Sequence, residues 1–264
     1  MSPQNYYARR QAGRRREVDL GLVLELVSKQ RMLQPRLGAR KVFHLIRPEL
    51  KKAKVKMGRD RLFQELGKAG MLVERKAAQW PRTTSFDANL PVFNNLVKEL
   101  EPTGRSQVWV SDITYIRTME GFLYLALITD MWSRKIVGFE MGETLEAKES
   151  LKALEMALQG LQIGEKPIHH SDRGCQYASY AYVQRATSAG LKMSMTEENH
   201  TAENAMAERV NGILKQEYWM DAEFTNKREA RRAASEAVSL YNNRRPHTAL
   251  NFKTPEEMHS ASRN

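Results

Sequence analysis

Two stretches decide the fold of this chain: QVWVSDITYIRT at residues 107–118 and GFLYLALITDMWS at residues 121–133. The first is rich in β-branched and aromatic residues, which favour an extended strand. The second is a nearly continuous apolar run, typical of a strand that is buried on both faces. Gly121 marks the turn between them, and KIVGFEMGE at residues 135–143 predicts a third strand. These residues therefore predict the start of a sheet.

Helical and extended segments alternate after this point. An amphipathic helix, a strand, a second helix, a further strand and a third helix are predicted at residues 144–161, 166–172, 177–190, 191–195 and about 202–220. Three strands followed by this alternation predict an α/β domain with a mixed five-stranded sheet that is flanked by helices.

The N-terminal part predicts a small all-helical domain. Apolar residues recur at steps of three and four from Val18, and Pro48 is expected to end the second helix. A third helix is expected from about Gly58 to Gly70. Lysine and arginine residues between these helices fit a helix-turn-helix DNA reader. A small bundle that only positions the next domain is the alternative.

These patterns divide the chain into five expected segments. The N-terminal arm is basic and is expected either to lie along phosphates or to be a solvated leader. The linker has three prolines and is expected to contain a short helix around residues 89–101. The segments are a basic arm (1–17), the helix-turn-helix-like domain (18–75), the linker (76–104), the α/β core (105–222) and a basic C-terminal helix with its tail (223–264).

Composition favours a polyanionic partner. The chain has 42 Lys and Arg against 31 Asp and Glu, for a net charge of +11. Its single cysteine, Cys175, excludes an internal disulfide framework and a thiolate metal cluster. No apolar run approaches the roughly 20 residues of a membrane span. We therefore expect a basic, soluble, intracellular protein.

Three acidic residues lie in different predicted elements. Asp112 is in the first strand, Asp172 ends the fourth, and Glu208 is in the helix that follows the fifth. A carboxylate inside an apolar strand is costly unless a cation or hydrogen bonds compensate it. Carboxylates are hard oxygen ligands for Mg²⁺ or Mn²⁺. The alternative for each aspartate alone is a structural role at a strand edge or a turn.

The helix that carries Glu208 has a polar face. Asn204, Glu208, Gly212 and Lys215 lie at steps of four, four and three, so they share one side of the helix. Such a face suits a metal at Glu208 and a phosphate at Lys215, with room for a nucleic-acid backbone at Gly212. A solvated helix face is the alternative.

Five motifs now occur in order, and together they carry a resemblance. They are WVSDITYI (109–116), GFLYLALITDMWSRKIVGF (121–139), HHSDRGCQY (169–177), NAMAERVNGILKQEY (204–218) and YNNRRPHTAL (241–250). The chain resembles the catalytic, second-reading-frame protein of IS3-family insertion sequences, which is related to retroviral integrases in the DDE superfamily. The similarity spans roughly residues 105–255, and the segments RLGARKVF (36–43) and GRDRLFQELGKAGML (58–72) resemble that family's helix-turn-helix-like region.

The resemblance implies an RNase H-like fold with Asp112, Asp172 and Glu208 as the catalytic and metal-binding triad. The 35 residues between the last two acids match the family's spacing. Two divalent ions, Mg²⁺ or Mn²⁺, are implied, with Asp112 bridging them. The DNA contacts that we expect from the matching motifs are Lys215, Asn204, Arg173, Arg245 and His247. For the C-terminal motif, packing of the tail against the core is the alternative.

The implied function is a transposase that cuts DNA at the element ends and transfers the freed 3′-hydroxyl to a new strand. The implied partners are the terminal inverted repeats, target DNA, further copies of the chain and a first-frame protein, separate or fused. The expected location is the bacterial cytoplasm, in association with the nucleoid, with no membrane partner. Three alternatives remain: an RNase H-like nuclease without strand transfer, a non-catalytic DNA-binding regulator, and an inactive copy.

Overall fold

The computed structural model describes residues 3–74, 90–197 and 203–261. The chain divides into two compact units, Met1–Lys76 and Ala77–Asn264. None of the helices within those ranges is long and apolar enough to cross a membrane.

The first unit contains three helices: α1 (Pro3–Leu33), α2 (Ala39–Lys52) and α3 (Arg59–Lys68). They enclose an apolar core in which Val27, Ile46 and Leu62 are fully buried. Three helices were predicted, but α1 already begins at Pro3, so residues 3–17 do not form a separate arm. No proline interrupts the helix after Pro3, so the backbone can continue without a break.

The expectation that Pro48 ends the second helix is wrong. Pro48 lies inside α2, which continues to Lys52. The extension buries Leu50, which is on the same side of the helix as Ile46. This burial offsets the backbone hydrogen bond that proline cannot make.

The second unit is built on a six-stranded mixed sheet, with the strand order β3-β2-β1-β4-β5 and β6 paired to β1. β1, β2 and β3 are antiparallel, whereas β1, β4 and β5 are parallel. The strands are β1 (Val108–Thr118), β2 (Gly121–Asp130), β3 (Ile136–Gly142), β4 (Ile168–Ser171), β5 (Lys192–Met195) and β6 (Glu223–Phe224). The predicted mixed α/β sheet is confirmed. β6 was not predicted, because two residues are too few to show a periodic pattern.

Helices cover both faces of this sheet, and β2 shows why. Leu125 and Leu127 pack with the helices Ala205–Glu217 and Lys227–Arg244, whereas Ala126 and Ile128 pack with the helices Ala147–Gln159 and Tyr180–Ser188. Side chains alternate between the two faces of a strand, so a strand that is buried on both faces reads as a continuous apolar run. The helices are α4 (Ala147–Gln159), α5 (Cys175–Ala178), α6 (Tyr180–Ser188), α7 (Ala205–Glu217), α8 (Lys227–Arg244) and α9 (Pro255–Ser260).

The short helix expected around residues 89–101 does not form between residues 90 and 101; residue 89 lies outside the described part. The backbone N–H of Asn95 donates to the carboxylate of Glu197, and that of Leu96 donates to Ser194 Oγ. Both N–H groups therefore bind side chains at the end of β5 instead of carbonyl groups within a helix.

Candidate active site

The register of the sheet places two of the three acids side by side. Ser111 on β1 and Ser171 on β4 form the last parallel pair between these strands. Asp112 and Asp172 are the next residues of the two chain segments. Neighbouring strands lie about 4.8 Å apart, so the two aspartates begin from adjacent backbone positions.

Helix α7 lies along β1 and brings the third acid to the same place. Asn204 Nδ2 donates to the carbonyl of Ser111 at 3.0 Å, and Asn211 Nδ2 donates to Asp112 Oδ2 at 2.8 Å. Lys215 Nζ lies 4.2 Å from the centre of the Tyr115 ring. Glu208 lies between these contacts along the helix, and its side chain is exposed.

The three carboxylates influence one another electrostatically. The pKa of Asp112 is raised to about 7, mainly by burial and also by the charges of Asp172 and Glu208, against hydrogen bonds from Asn211 and Ile113. The pKa of Glu208 is raised by its partial burial and by the charge of Asp172. The acids predicted from three distant motifs therefore share one environment. Their catalytic role remains a prediction.

The chemistry of these side chains fits a divalent cation. The carboxylates present hard oxygen ligands, and a bound cation would offset the burial and the like charge that raise the pKa values of Asp112 and Glu208. Among the described residues, however, no group of three His, Cys, Asp or Glu side chains is already close enough to hold a metal ion. The donor atoms at this position are of the kind that divalent cations prefer.

Arg173 and Asn204 were expected at the DNA, and the structure places both in internal contacts. Arg173 Nε donates to the carbonyl of Thr196 at 2.7 Å, which joins the loop after β4 to the end of β5. Asn204 is only 2% exposed and binds β1. These polar groups bind backbone carbonyls at the edges of the site, and a DNA contact at either residue stays a prediction.

Lys215 is also not on the surface. Only 3% of its area is exposed, and burial lowers its pKa to about 8, although the charge of Asp112 favours the protonated form. The helix face expected to meet DNA is thus largely the face that packs on β1. Helical spacing identifies residues that share a side, but it does not reveal whether that side faces solvent.

Arg245 and His247 were expected to face DNA; both side chains are buried here, and a DNA contact at either stays a prediction. Arg245 is 3% exposed and His247 is 8% exposed. The Arg245 guanidinium donates two hydrogen bonds to the carboxylate of Glu217, each 2.8 Å long. The structure therefore agrees with the alternative, in which this tail packs against the core.

Two internal contacts at the site were not predicted. Asn211 was missed, although it lies seven residues after Asn204 and four before Lys215 and therefore on their helix face. On β4, His169 Nε2 lies 2.8 Å from both Ser111 Oγ and Tyr182 Oη. Burial lowers the pKa of His169 to about 3, so the ring is neutral and supports the β1–β4 junction by hydrogen bonding.

The region that contains all three acids is similar to known protein families. Two family models, both described as an integrase core domain, match residues 102–200 and 189–255. Asp112 and Asp172 lie in the first match, and Glu208 lies in the second.

Individual proteins extend the similarity to most of the chain. The insertion element IS600 uncharacterized 31 kDa protein of Shigella sonnei is 36% identical over 243 residues, covering 91% of this chain and 88% of that protein. The transposase for insertion sequence element IS629 of Shigella sonnei is 34% identical over 225 residues, covering 85% of this chain and 74% of that protein.

One solved structure shares the fold at low identity. A chain in the cryo-EM structure of the simian T-cell lymphotropic virus intasome in complex with PP2A regulatory subunit B56 gamma aligns with a TM-score of 0.52 and 18% identity. The alignment covers 90% of this chain and 75% of that chain.

Proposed function

This chain belongs to the integrase-core DDE transposases of IS3-family insertion sequences, and we propose that it cuts DNA at the ends of its element and joins the freed 3′-hydroxyl to a target strand. The observation that carries the proposal is the convergence of Asp112, Asp172 and Glu208 at the end of the β1–β4 pairing. Three carboxylates beside a strand end suit metal-assisted phosphodiester chemistry.

Asp112, Asp172 and Glu208 are the proposed ligands of two divalent ions, Mg²⁺ or Mn²⁺. Such ions supply Lewis-acid stabilisation of the attacking and leaving oxygens. Hydrogen bonds hold the three carboxylates in place to different degrees. Asp112 is held by Asn211, and Asp172 accepts a hydrogen bond from the N–H of Gly174 at 3.1 Å. Glu208 is exposed and has room to adjust its position.

Asp112 also has to change its protonation state. With a pKa of about 7 it is only partly ionised near neutral pH, whereas a metal ligand must be a carboxylate. We therefore propose that loading of the site releases the Asp112 proton to solvent. Lys215, whose charge is influenced by Asp112, helps to keep the ionised form in place.

We propose that exposed lysines of the first unit also contact DNA. In the first unit, the turn between α2 and α3 carries exposed lysines on both sides of Val55. Clustered, exposed cations of this kind bind phosphates without reading sequence. These residues are Lys51 and Lys52 at the end of α2, and Lys54 and Lys56 in the turn itself.

The proposed partners are the two ends of the element and a target DNA, bound by more than one copy of the chain. Joining two ends requires at least two sites, so a homo-oligomer on DNA follows from the reaction. A first-frame protein, separate or fused, is proposed to contribute to recognition of the ends. The proposed location is the bacterial cytoplasm, at the nucleoid.

A cleavage and strand-transfer assay tests the proposal on DNA that carries the flanks of the element. Wild type is compared with Glu208→Gln and with Glu236→Gln, which alters an exposed acid on α8. We expect Mg²⁺-dependent nicking and joining by wild type and Glu236→Gln, and neither product from Glu208→Gln. Nicking without joining would instead indicate a nuclease, and metal-independent binding without cleavage would indicate a regulator.

A further inference from the structure

Four residues of the C-terminal motif YNNRRPH, residues 241–247, make internal contacts. Tyr241 Oη donates to the carbonyl of Arg134 at 3.0 Å. Asn242 binds both backbone groups of Ile136: its Oδ1 accepts from the N–H at 3.0 Å, and its Nδ2 donates to the carbonyl at 2.9 Å. The end of α8 is thereby fixed to the start of β3.

Arg245 extends this set to α7, the helix that carries Glu208. Its Nε and Nη2 donate to the two carboxylate oxygens of Glu217, and its Nη1 donates to His247 Nε2 at 2.9 Å. The His247 ring packs edge-on against Tyr241, with 5.2 Å between the ring centres. Glu217 is the last residue of α7. A planar guanidinium paired with a carboxylate through two bonds fixes orientation as well as distance.

These two sets of contacts hold α7 on different sides. Asn204, Asn211 and Lys215 attach one face of the helix to β1. Glu217 is six residues after Asn211, which places it about 120° further round the helix axis, at about 100° per residue. Contacts along a single face allow a helix to roll about that line. A second attachment on another side prevents the roll.

We propose that Arg245 is a positioning residue for Glu208: through its two-bond pair with Glu217 it fixes the rotation of α7 and thereby the place of the third acid. This inference rests on the proposed function. A carboxylate lies roughly 6 Å from the helix axis, so a roll of about 10° would move it by about 1 Å. A misplacement of about 1 Å can reduce a rate by about 100-fold.

The central test replaces the pair by apolar side chains of similar size, in Arg245→Met/Glu217→Leu. Buried ion pairs can often be replaced in this way without loss of stability. We expect a melting temperature near that of wild type, an unchanged KM for DNA, and a kcat that falls by about 10- to 100-fold. A role in stability alone predicts instead that activity follows the melting temperature.

A conservative variant and a matched control test whether kcat depends on the geometry of the two-bond pair rather than on its charge. Arg245→Lys keeps the charge but cannot form the two parallel bonds, so it should also lose kcat. Arg185→Lys is the control, because Arg185 makes the same two-bond pair with Glu155 away from α7, at 2.6 and 2.9 Å. Its kcat should stay within about twofold, as is usual for an exposed pair. Wild-type kcat in Arg245→Lys would overturn the proposal.

Amide hydrogen exchange tests the positioning role of Arg245 independently of whether the protein cleaves DNA. In the double variant, exchange in α7 should become faster while exchange in α4 stays unchanged, and this comparison needs no catalysis. Faster exchange in α7, together with no cleavage by wild type, would reject the proposed function and leave α7 anchored by Arg245. Unchanged exchange in α7 would overturn the positioning role, whatever the activity of wild type.

Discussion

The carboxamide of Asn211 donates a 2.8 Å hydrogen bond to Asp112 Oδ2, and this bond joins the acid-bearing helix α7 to the acid-bearing strand β1. It is also one of the two hydrogen bonds that oppose the rise in the pKa of Asp112. A single amide therefore sets both the position and the ionisation of a proposed metal ligand.

Replacing this amide should be visible in the pH dependence of cleavage. Asn211→Ala removes a hydrogen bond to an ionised group, which is worth about 1.5–3 kcal/mol and corresponds to a pKa change of about one to two pH units. We expect the pH at which the rate is half-maximal to move upward by about one unit. Asn243→Ala, at an exposed position of α8, is the control and should leave the profile unchanged. A profile for Asn211→Ala that overlays wild type would exclude this role.

The contribution of Asp112 to stability without metal should fall as the pH rises from 4 to 7. The carboxyl of Asp112 has an ordinary value of 3.8 in the unfolded chain and about 7 in the folded protein. Between these values the folded state keeps a proton that the unfolded state has lost, so deprotonation costs folding free energy. Asp112→Asn should therefore raise stability at pH 8 by about 4 kcal/mol, at about 1.4 kcal/mol for each pH unit between the two pKa values, and change it little at pH 4. Urea unfolding at both pH values measures this, and equal effects at pH 4 and pH 8 would contradict it.

A bound divalent cation should offset the free-energy cost of ionising Asp112 in the folded protein. Mg²⁺ at ten times its dissociation constant should stabilise the wild type by about 1.4 kcal/mol, a shift of a few degrees in melting temperature. The gain should grow between pH 6 and pH 8, because Asp112 must lose its proton before it binds the ion. Asp172→Asn should lose most of the gain. Removal of the metal with a chelator should return the wild type to its original melting temperature, and a gain of equal size in Asp172→Asn would place the ion elsewhere.

The burial of Lys215 leads to a prediction about DNA binding. A cation that contacts a phosphate contributes about 0.9 to the slope of log affinity against log salt concentration. Lys215→Met should leave this slope unchanged, because the side chain is buried against Tyr115. The double variant Lys52→Ala/Lys54→Ala, at exposed positions of the first unit, should lower the slope by about 1.8. A reduced slope for Lys215→Met would restore the original expectation of a phosphate contact.

The sheet could be predicted because its evidence is local. β-branched residues, a two-sided apolar run and Gly121 mark β1 and β2 directly in the sequence. The positions of Asp112 in the first strand and of Asp172 at the end of the fourth could also be predicted from the sequence. Their adjacency was not, because it depends on the parallel register that pairs Ser111 with Ser171. Only the resemblance to a family supplied that link.

The residues expected to contact DNA lie in internal contacts for a different physical reason. Lys215 and Arg245 carry charge, and charged side chains are usually exposed. Here each has a specific internal partner, the Tyr115 ring for one and the Glu217 carboxylate for the other. Sequence periodicity gives the face of a helix but not the element that covers it. The helix expected near residue 95 failed similarly, because Glu197 and Ser194 bind its N–H groups from β5.

The most direct test of a single catalytic site measures strand transfer of a pre-cut element end by Asp112→Asn, Asp172→Asn, Glu208→Gln and the triple variant. Residues that act as one unit show non-additive losses. We predict that each single substitution lowers the rate by about 10³-fold or more, and that the triple variant is no slower than the slowest single variant. A single variant that keeps a tenth of the wild-type rate, or losses that multiply in the triple variant, would contradict the claim that these three carboxylates form one site.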